Sequence, residues 1–166
     1  MKKKTYSNPQ LTWLVVLRVA IGWHFLYEGL VKFSNPNWTS FGYLMDSKGF
    51  FEGLFQSLAD TPKILNVVDF MNIWGLIAIG LSLILGLFSR PAIMAGIVLL
   101  AFYYLSHPPF IGLEYALPTE GSYFIINKTL IELFALTVLF TFPTSKEVGI
   151  DKFIFKKNKN TSNIKE

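Results

Sequence analysis

Four ionisable side chains, Arg18, His24, Glu28 and Lys32, lie in or at the edge of the first long apolar stretch, Leu11 to Phe33. Charges at membrane depth are expensive. They are kept where they face a bundle interior, pair with one another or do chemistry. At about 100° per residue, Arg18, Lys32, Glu28 and His24 fall in that angular order within about a third of the helix circumference. The stripe points to a polar interior rather than to lipid.

Further polar groups recur in the later apolar stretches: Asp69 and Asn72, His107, and then Asn127, Lys128 and Glu132. Counting depth at about 1.5 Å per residue brings most of them to one leaflet, with Arg18 deeper, near the level of Glu132. Charge compensation then predicts an ion pair of Arg18 with Glu132, and of Glu28 with Lys128 or Lys32. A carboxylate without a partner would take up a proton instead. His24, Glu28, Lys128, Glu132, Asn127, Asp69, Asn72 and His107 are the candidates for ligand binding or proton relay. Trp23, Phe25, Tyr27, Trp74, Tyr103 and Tyr104 are placed at the same level. Aromatic rings beside hydrogen-bonding groups suit a quinone headgroup, and equally an interfacial belt. The bland alternative is a structural ion-pair network holding short helices together.

His24 and Glu28 share a helix face at i and i+4, and with His107 would make a two-histidine, one-carboxylate set. His24 and His107 could instead ligate a haem across helices. A lone histidine in a membrane more often packs and hydrogen-bonds, so metal and haem are disfavoured and no metal site is assigned. The absence of cysteine excludes thiol and iron–sulfur chemistry within the chain.

These groups need elements to hold them. The chain is 52% hydrophobic and only 16% charged, with mean hydropathy +0.42. A soluble domain would carry about 25% charge. Long apolar runs identify an integral membrane protein, with the lipid bilayer as its first partner. The net charge of +4 sits mainly in the tails, where membrane topology accounts for it, and nucleic-acid binding is not expected. Lys2, Lys3 and Lys4 precede the first apolar run, but Arg18 interrupts it and no small-x-small cleavage site follows. An uncleaved first helix is expected.

Four spans are predicted, over about 11–32, 69–88, 91–106 and 122–142. The second extends a helix that starts at Thr61-Pro62, a capping residue followed by a proline tolerated in the first turn. In the connection 34–61, Phe50, Phe51, Leu54, Phe55 and Leu58 make one apolar face opposite Glu52 and Gln56. This predicts a short amphipathic helix on the outer surface or capping the bundle. Lys and Arg concentrate in the N-tail 1–10, at Arg90 and in the C-tail 143–166, and are absent from 107–121. Both termini are therefore predicted cytoplasmic. The end of the C-tail, rich in Asn and Lys, is expected to be disordered.

Three segments resemble the DoxX family of small four-helix bacterial membrane proteins. Arg18 is followed by Glu28-Gly29-Leu30-Val31-Lys32-Phe33. Gly86-Leu87-Phe88-Ser89-Arg90 is similar to the family's Gly-Leu-Phe-Thr-Arg turn. Gly149-Ile150-Asp151 is similar to its Gly-x-Ser-Leu-Asp ending, without the serine. The resemblance implies the bacterial cytoplasmic (inner) membrane. It also implies kinship with the quinone-linked subunit of thiosulfate:quinone oxidoreductase, with members tied to resistance to quinone-like and oxidative stress, and with subunits of membrane oxidoreductase complexes. It supplies no established catalytic residues.

The expectation is thus an all-α, integral membrane four-helix bundle acting as a quinone-interacting subunit of a redox system. Its electron donor would be a protein partner or a soluble substrate. The alternative is a non-catalytic assembly or scaffold subunit.

Overall fold

The computed structural model describes residues 6–117 and 124–154. The N-tail residues 1–5, the loop and presumed start of the fourth span at 118–123, and the tail 155–166 lie outside the described residues. Six helices follow in order: α1 Asn8–Phe33, α2 Phe41–Met45, α3 Glu52–Asp60, α4 Pro62–Leu85, α5 Ser89–Ser106 and α6 Lys128–Thr141. The protein is an all-α membrane protein. Three helices, α1, α4 and α5, are long and apolar enough to cross a bilayer. The fourth apolar helix, α6, has 14 residues.

Local chemistry sets the ends. Ser7 and Gln10 form a reciprocal capping box at the start of α1. Pro62 opens α4, and Gly86 ends it in the left-handed conformation, φ 66°, which costs glycine nothing. Asn127 caps α6 through its side chain, which accepts from the Leu130 N–H at 2.9 Å. Residues 124–127, expected to be helical, are not.

α1 packs most extensively on α4, and α6 on α5; α1 and α6 meet only sparsely. The α1–α4 seam is glycine-based. A Cβ at Gly80 would lie 2.5 Å from Leu26 N and 2.7 Å from Gly22 O, so the two backbones nearly touch. Phe25, Leu76, Ile79, Leu83, Ile93, Leu100, Leu136 and Leu139 fill the core between α1, α4, α5 and α6. A smaller core of Leu44, Phe55 and Ala59 lies under α2 and α3. α3 therefore buries Phe55 and Ala59, while Phe50, Phe51 and Leu54 stay exposed. The apolar face read from the sequence is only partly a packing face.

The segment after α6 is not a free tail. Thr144, Ser145 and Asp151 are buried, and Ile150 and Asp151 donate backbone hydrogen bonds to Leu85 and Gly86.

Candidate functional site

Polar side chains gather in three places. The first is a stripe on α1 facing α6. His24 Nδ1 lies 2.9 Å from Glu132 Oε1. An ionised carboxylate only accepts, so the ring N–H donates. The Glu132 side chain is 16% exposed and that of His24 58%, so the imidazole is held on one edge and open on the other. One turn further along, Glu28 Oε2 is 3.8 Å from Lys32 Nζ. Trp23 and Tyr27, exposed and with ring centroids 6.5 Å apart, flank the stripe.

Lys32 links the stripe to the second cluster, at the C-terminal end of α1. Its Nζ donates to Asn72 Oδ1 at 3.1 Å and to the Tyr103 hydroxyl at 3.5 Å, and sits over the Trp38 ring at 5.3 Å. Asn72 Nδ2 donates to the same hydroxyl at 2.6 Å. Beyond it, His107 is stacked between Tyr43 and Tyr115, with ring centroids at 4.0 and 4.8 Å. Its Nδ1 shares a hydrogen bond with Ser106 Oγ, and Asp46 Oδ2 is 3.9 Å from Nε2. Burial lowers the His107 pKa, against the pull of Asp46. Burial also pushes the Asp46 carboxyl up, but hydrogen bonds from the Ala116 and Leu117 backbone, with His107 and Lys48 nearby, outweigh it and hold the group below its ordinary value. This cluster pins the loop after α5 onto α2. Asp69 has a similar structural task, accepting from the Ser40 N–H and hydroxyl.

The third cluster closes the opposite end. The Arg18 side chain is buried and donates to Thr144 Oγ1 at 3.0 Å and Val148 O at 2.9 Å. Asp151 accepts from the Phe88 and Ser89 N–H groups, at 2.9 and 3.3 Å, at the start of α5. A Cβ at Gly86 would meet Gly149 Cα at 2.7 Å, so both positions need glycine for the approach.

The expected Arg18–Glu132 pair does not form. Glu132 stands one turn into α6, level with His24, while Arg18 lies about 9 Å nearer the start of α1. Glu28 takes Lys32 as its partner. Lys128 is the first residue of α6 and Asn127 is its cap. His24, Glu28 and His107 do not come together, and among the described residues no group of three potential ligands could hold a metal ion. The sequence reading missed Asp46, Tyr43, Thr144 and the structural use of Asp151. The Gly149-Ile150-Asp151 match was a usable signal for the last.

Part of each segment that carries the resemblance meets at one place: Arg18, the Gly86–Arg90 turn and Gly149–Asp151 form the closed end, while Glu28 and Lys32 lie towards the other end of α1. The DoxX family model matches residues 13–108. The chain belongs to the DoxX family. No curated relative and no solved structure matches it. The matched region of this DoxX protein includes Arg18, His24, Glu28, Lys32 and Asn72. Glu132 and Asp151 lie beyond it.

Proposed function

We propose that this DoxX protein is a quinone-interacting subunit of a membrane redox system, with the His24–Glu132 pair and Glu28 at the headgroup site. One observation carries the reading: a histidine hydrogen-bonded to a carboxylate stands open on one edge, on an apolar helix, in a sparsely packed seam between α1 and α6. Polar groups at that depth demand a partner. A lipid-soluble ring with hydrogen-bonding oxygens supplies one, and its apolar body suits the flanking Trp23 and Tyr27. Bound there, a quinone would supply two-electron redox chemistry. The protein's residues would do the rest. His24 would offer or accept a proton at its open edge, Glu132 would orient the ring and balance its charge, and Glu28 with Lys32 would connect the seam to the Asn72–Tyr103 end. With no cysteine for a redox centre, electrons would come from a partner protein or a soluble donor.

In this reading α6 completes a four-helix bundle as a short fourth span. Both termini face the cytoplasm of a bacterial inner membrane, in line with the Lys and Arg distribution.

The test is thermal unfolding of the purified protein in detergent with a series of quinone analogues. A saturating analogue raises Tm by binding the folded state. His24→Ala and Glu28→Gln abolish the shift while the proteins remain folded. No shift across the series would sink the reading. The open seam also favours a second reading, a scaffold subunit in which a partner's membrane helix covers the stripe. Co-purification of a stoichiometric membrane protein without quinone, lost in His24→Ala, would select it.

A further inference from the structure

The closed end holds a feature that the quinone reading does not use. A narrow cavity of about 10 Å³ opens between α1, the start of α5 and the segment after α6, lined by Arg18, Ser89, Arg90, Ser145, Ile93 and Leu139. Two buried polar atoms on its wall, Arg18 Nε and Ser89 Oγ, have no hydrogen-bond partner. Both residues are almost wholly enclosed, at 3% and 2% exposure. Buried donors are nearly always satisfied, and an unmet one costs about 1–3 kcal/mol. The other two guanidinium nitrogens of Arg18 each donate one hydrogen bond, to Thr144 and Val148, so Nε is the guanidinium nitrogen without a partner among the described residues.

The charge and depth say what that is. Between Pro143 and Ile154, Lys146 and Lys152 balance Glu147 and Asp151, and both Asp151 oxygens are committed to backbone N–H groups. Arg18 and Arg90 therefore leave this end positive. α5 has 18 residues, about 27 Å of helix, close to the roughly 30 Å hydrocarbon thickness. Its first residues, Ser89 and Arg90, thus stand at headgroup level, where lipid phosphates lie. Basic pockets between membrane helices bind anionic headgroups.

We propose that this end of the bundle binds a phosphate group, that of an anionic phospholipid. One phosphate oxygen enters the cavity and accepts from Arg18 Nε and Ser89 Oγ. The cavity admits about one oxygen-sized atom, so the rest of the group stays at the mouth, against Arg90. The lipid would tie α1, α5 and the returning C-terminal segment together, independently of the His24 seam.

The full chain in neutral detergent provides the test, with Tm read against added phosphatidylglycerol, phosphatidylcholine or inorganic phosphate. At a hundredfold excess over Kd, phosphatidylglycerol should raise Tm by about 5–10 °C. Phosphatidylcholine, whose choline offsets the charge, should do much less. Arg90→Gln gives up the contact of the guanidinium with the Phe140 ring, 5.9 Å from its centroid, so its lipid shift is read against its own lipid-free Tm. It should weaken lipid affinity about tenfold or more, as loss of a charge-assisted bond requires, and so about halve the shift at the same lipid concentration. Ser89→Ala should weaken it too, and native mass spectrometry should show less retained lipid in both variants. An undiminished shift in both variants, or no preference for the anionic lipid, overturns the proposal. The same shift from inorganic phosphate alone overturns the lipid source and assigns a free phosphate.

Discussion

Gly80→Ala should break the seam that fixes the face of α1 turned towards α6. The added Cβ would lie 2.5 Å from Leu26 N, 2.7 Å from Leu26 Cα and 2.7 Å from Gly22 O. Ordinary contact begins near 3.4 Å. All three neighbours are backbone atoms of α1, which no rotamer change can move. α1 must retreat from α4 by most of an ångström, along the most extensive helix interface. Overpacking of this kind costs about 1–3 kcal/mol, and a backbone clash belongs at the upper end. Alanine returns about 1 kcal/mol through helix propensity. The net loss, about 2 kcal/mol, should lower Tm by about 4–8 °C in detergent. Gly75 is the internal control, on the same helix with nothing within 4 Å of an added Cβ. Gly75→Ala should gain the propensity term alone and raise Tm by about 2–4 °C. Opposite signs at the two glycines are expected from thermal unfolding followed by circular dichroism. A Gly80→Ala protein as stable as Gly75→Ala would refute the close-packed seam.

Asp151→Ala removes both acceptor oxygens, and the charge, at the start of α5 and beside Arg18. Loss of a cap costs about 0.5–2 kcal/mol, so Tm should fall by about 1–8 °C, whereas Lys152→Gln, at an exposed position, should leave it within about a degree. His107 has a folded pKa below its ordinary 6.5 because it is buried. Its contribution to stability is therefore complete above about pH 6.5 and is lost as pH falls through the folded value. Amide protection over residues 107–117, corrected for the intrinsic pH dependence of exchange, should fall between pH 7.5 and 5.5, and His107→Phe should flatten that dependence; a pH-independent protection would count against the stacked, neutral imidazole. Single cysteines at Ser7 and Phe153 should label from the cytoplasmic side, and an externally labelled Phe153 would remove α6 as a fourth span.

The helical membrane architecture was legible because long apolar runs leave few alternatives. The register between α1 and α6 was not. Phe124, Ile125 and Ile126 read as membrane helix, which placed Glu132 deep enough to meet Arg18. The helix starts at Lys128 instead, and Glu132 meets His24. Hydropathy measures apolarity, and an exposed apolar segment of irregular chain looks the same as one more turn. The packing of the segment just after α6 was not legible for the complementary reason. Thr144 and Asp151 are polar residues in a basic stretch, but their hydrogen-bond partners are guanidinium and backbone groups far away in sequence. The stripe on α1 was readable because all its members sit on one helix, where spacing alone fixes their face. What spacing could not fix was which neighbouring helix that face would meet.

The two ends of the stripe now differ in a way that separates structure from function. Arg18 is enclosed, and two of its nitrogens are spent on holding the C-terminal segment. Such a group stabilises the bundle, and its unpartnered Nε is the atom assigned above to a phosphate oxygen. His24 is paired on one side only and open on the other. Glu28, also partly open, is paired through Lys32 at 3.8 Å, longer than a hydrogen bond. For stability alone an apolar side chain at either position would serve better, because exposed polar atoms on a membrane helix gain nothing from lipid. In the quinone reading proposed above, the open edge of His24 and the half-exposed Glu28 would meet a ligand that arrives from the bilayer. The seam between α1 and α6 is where it would enter.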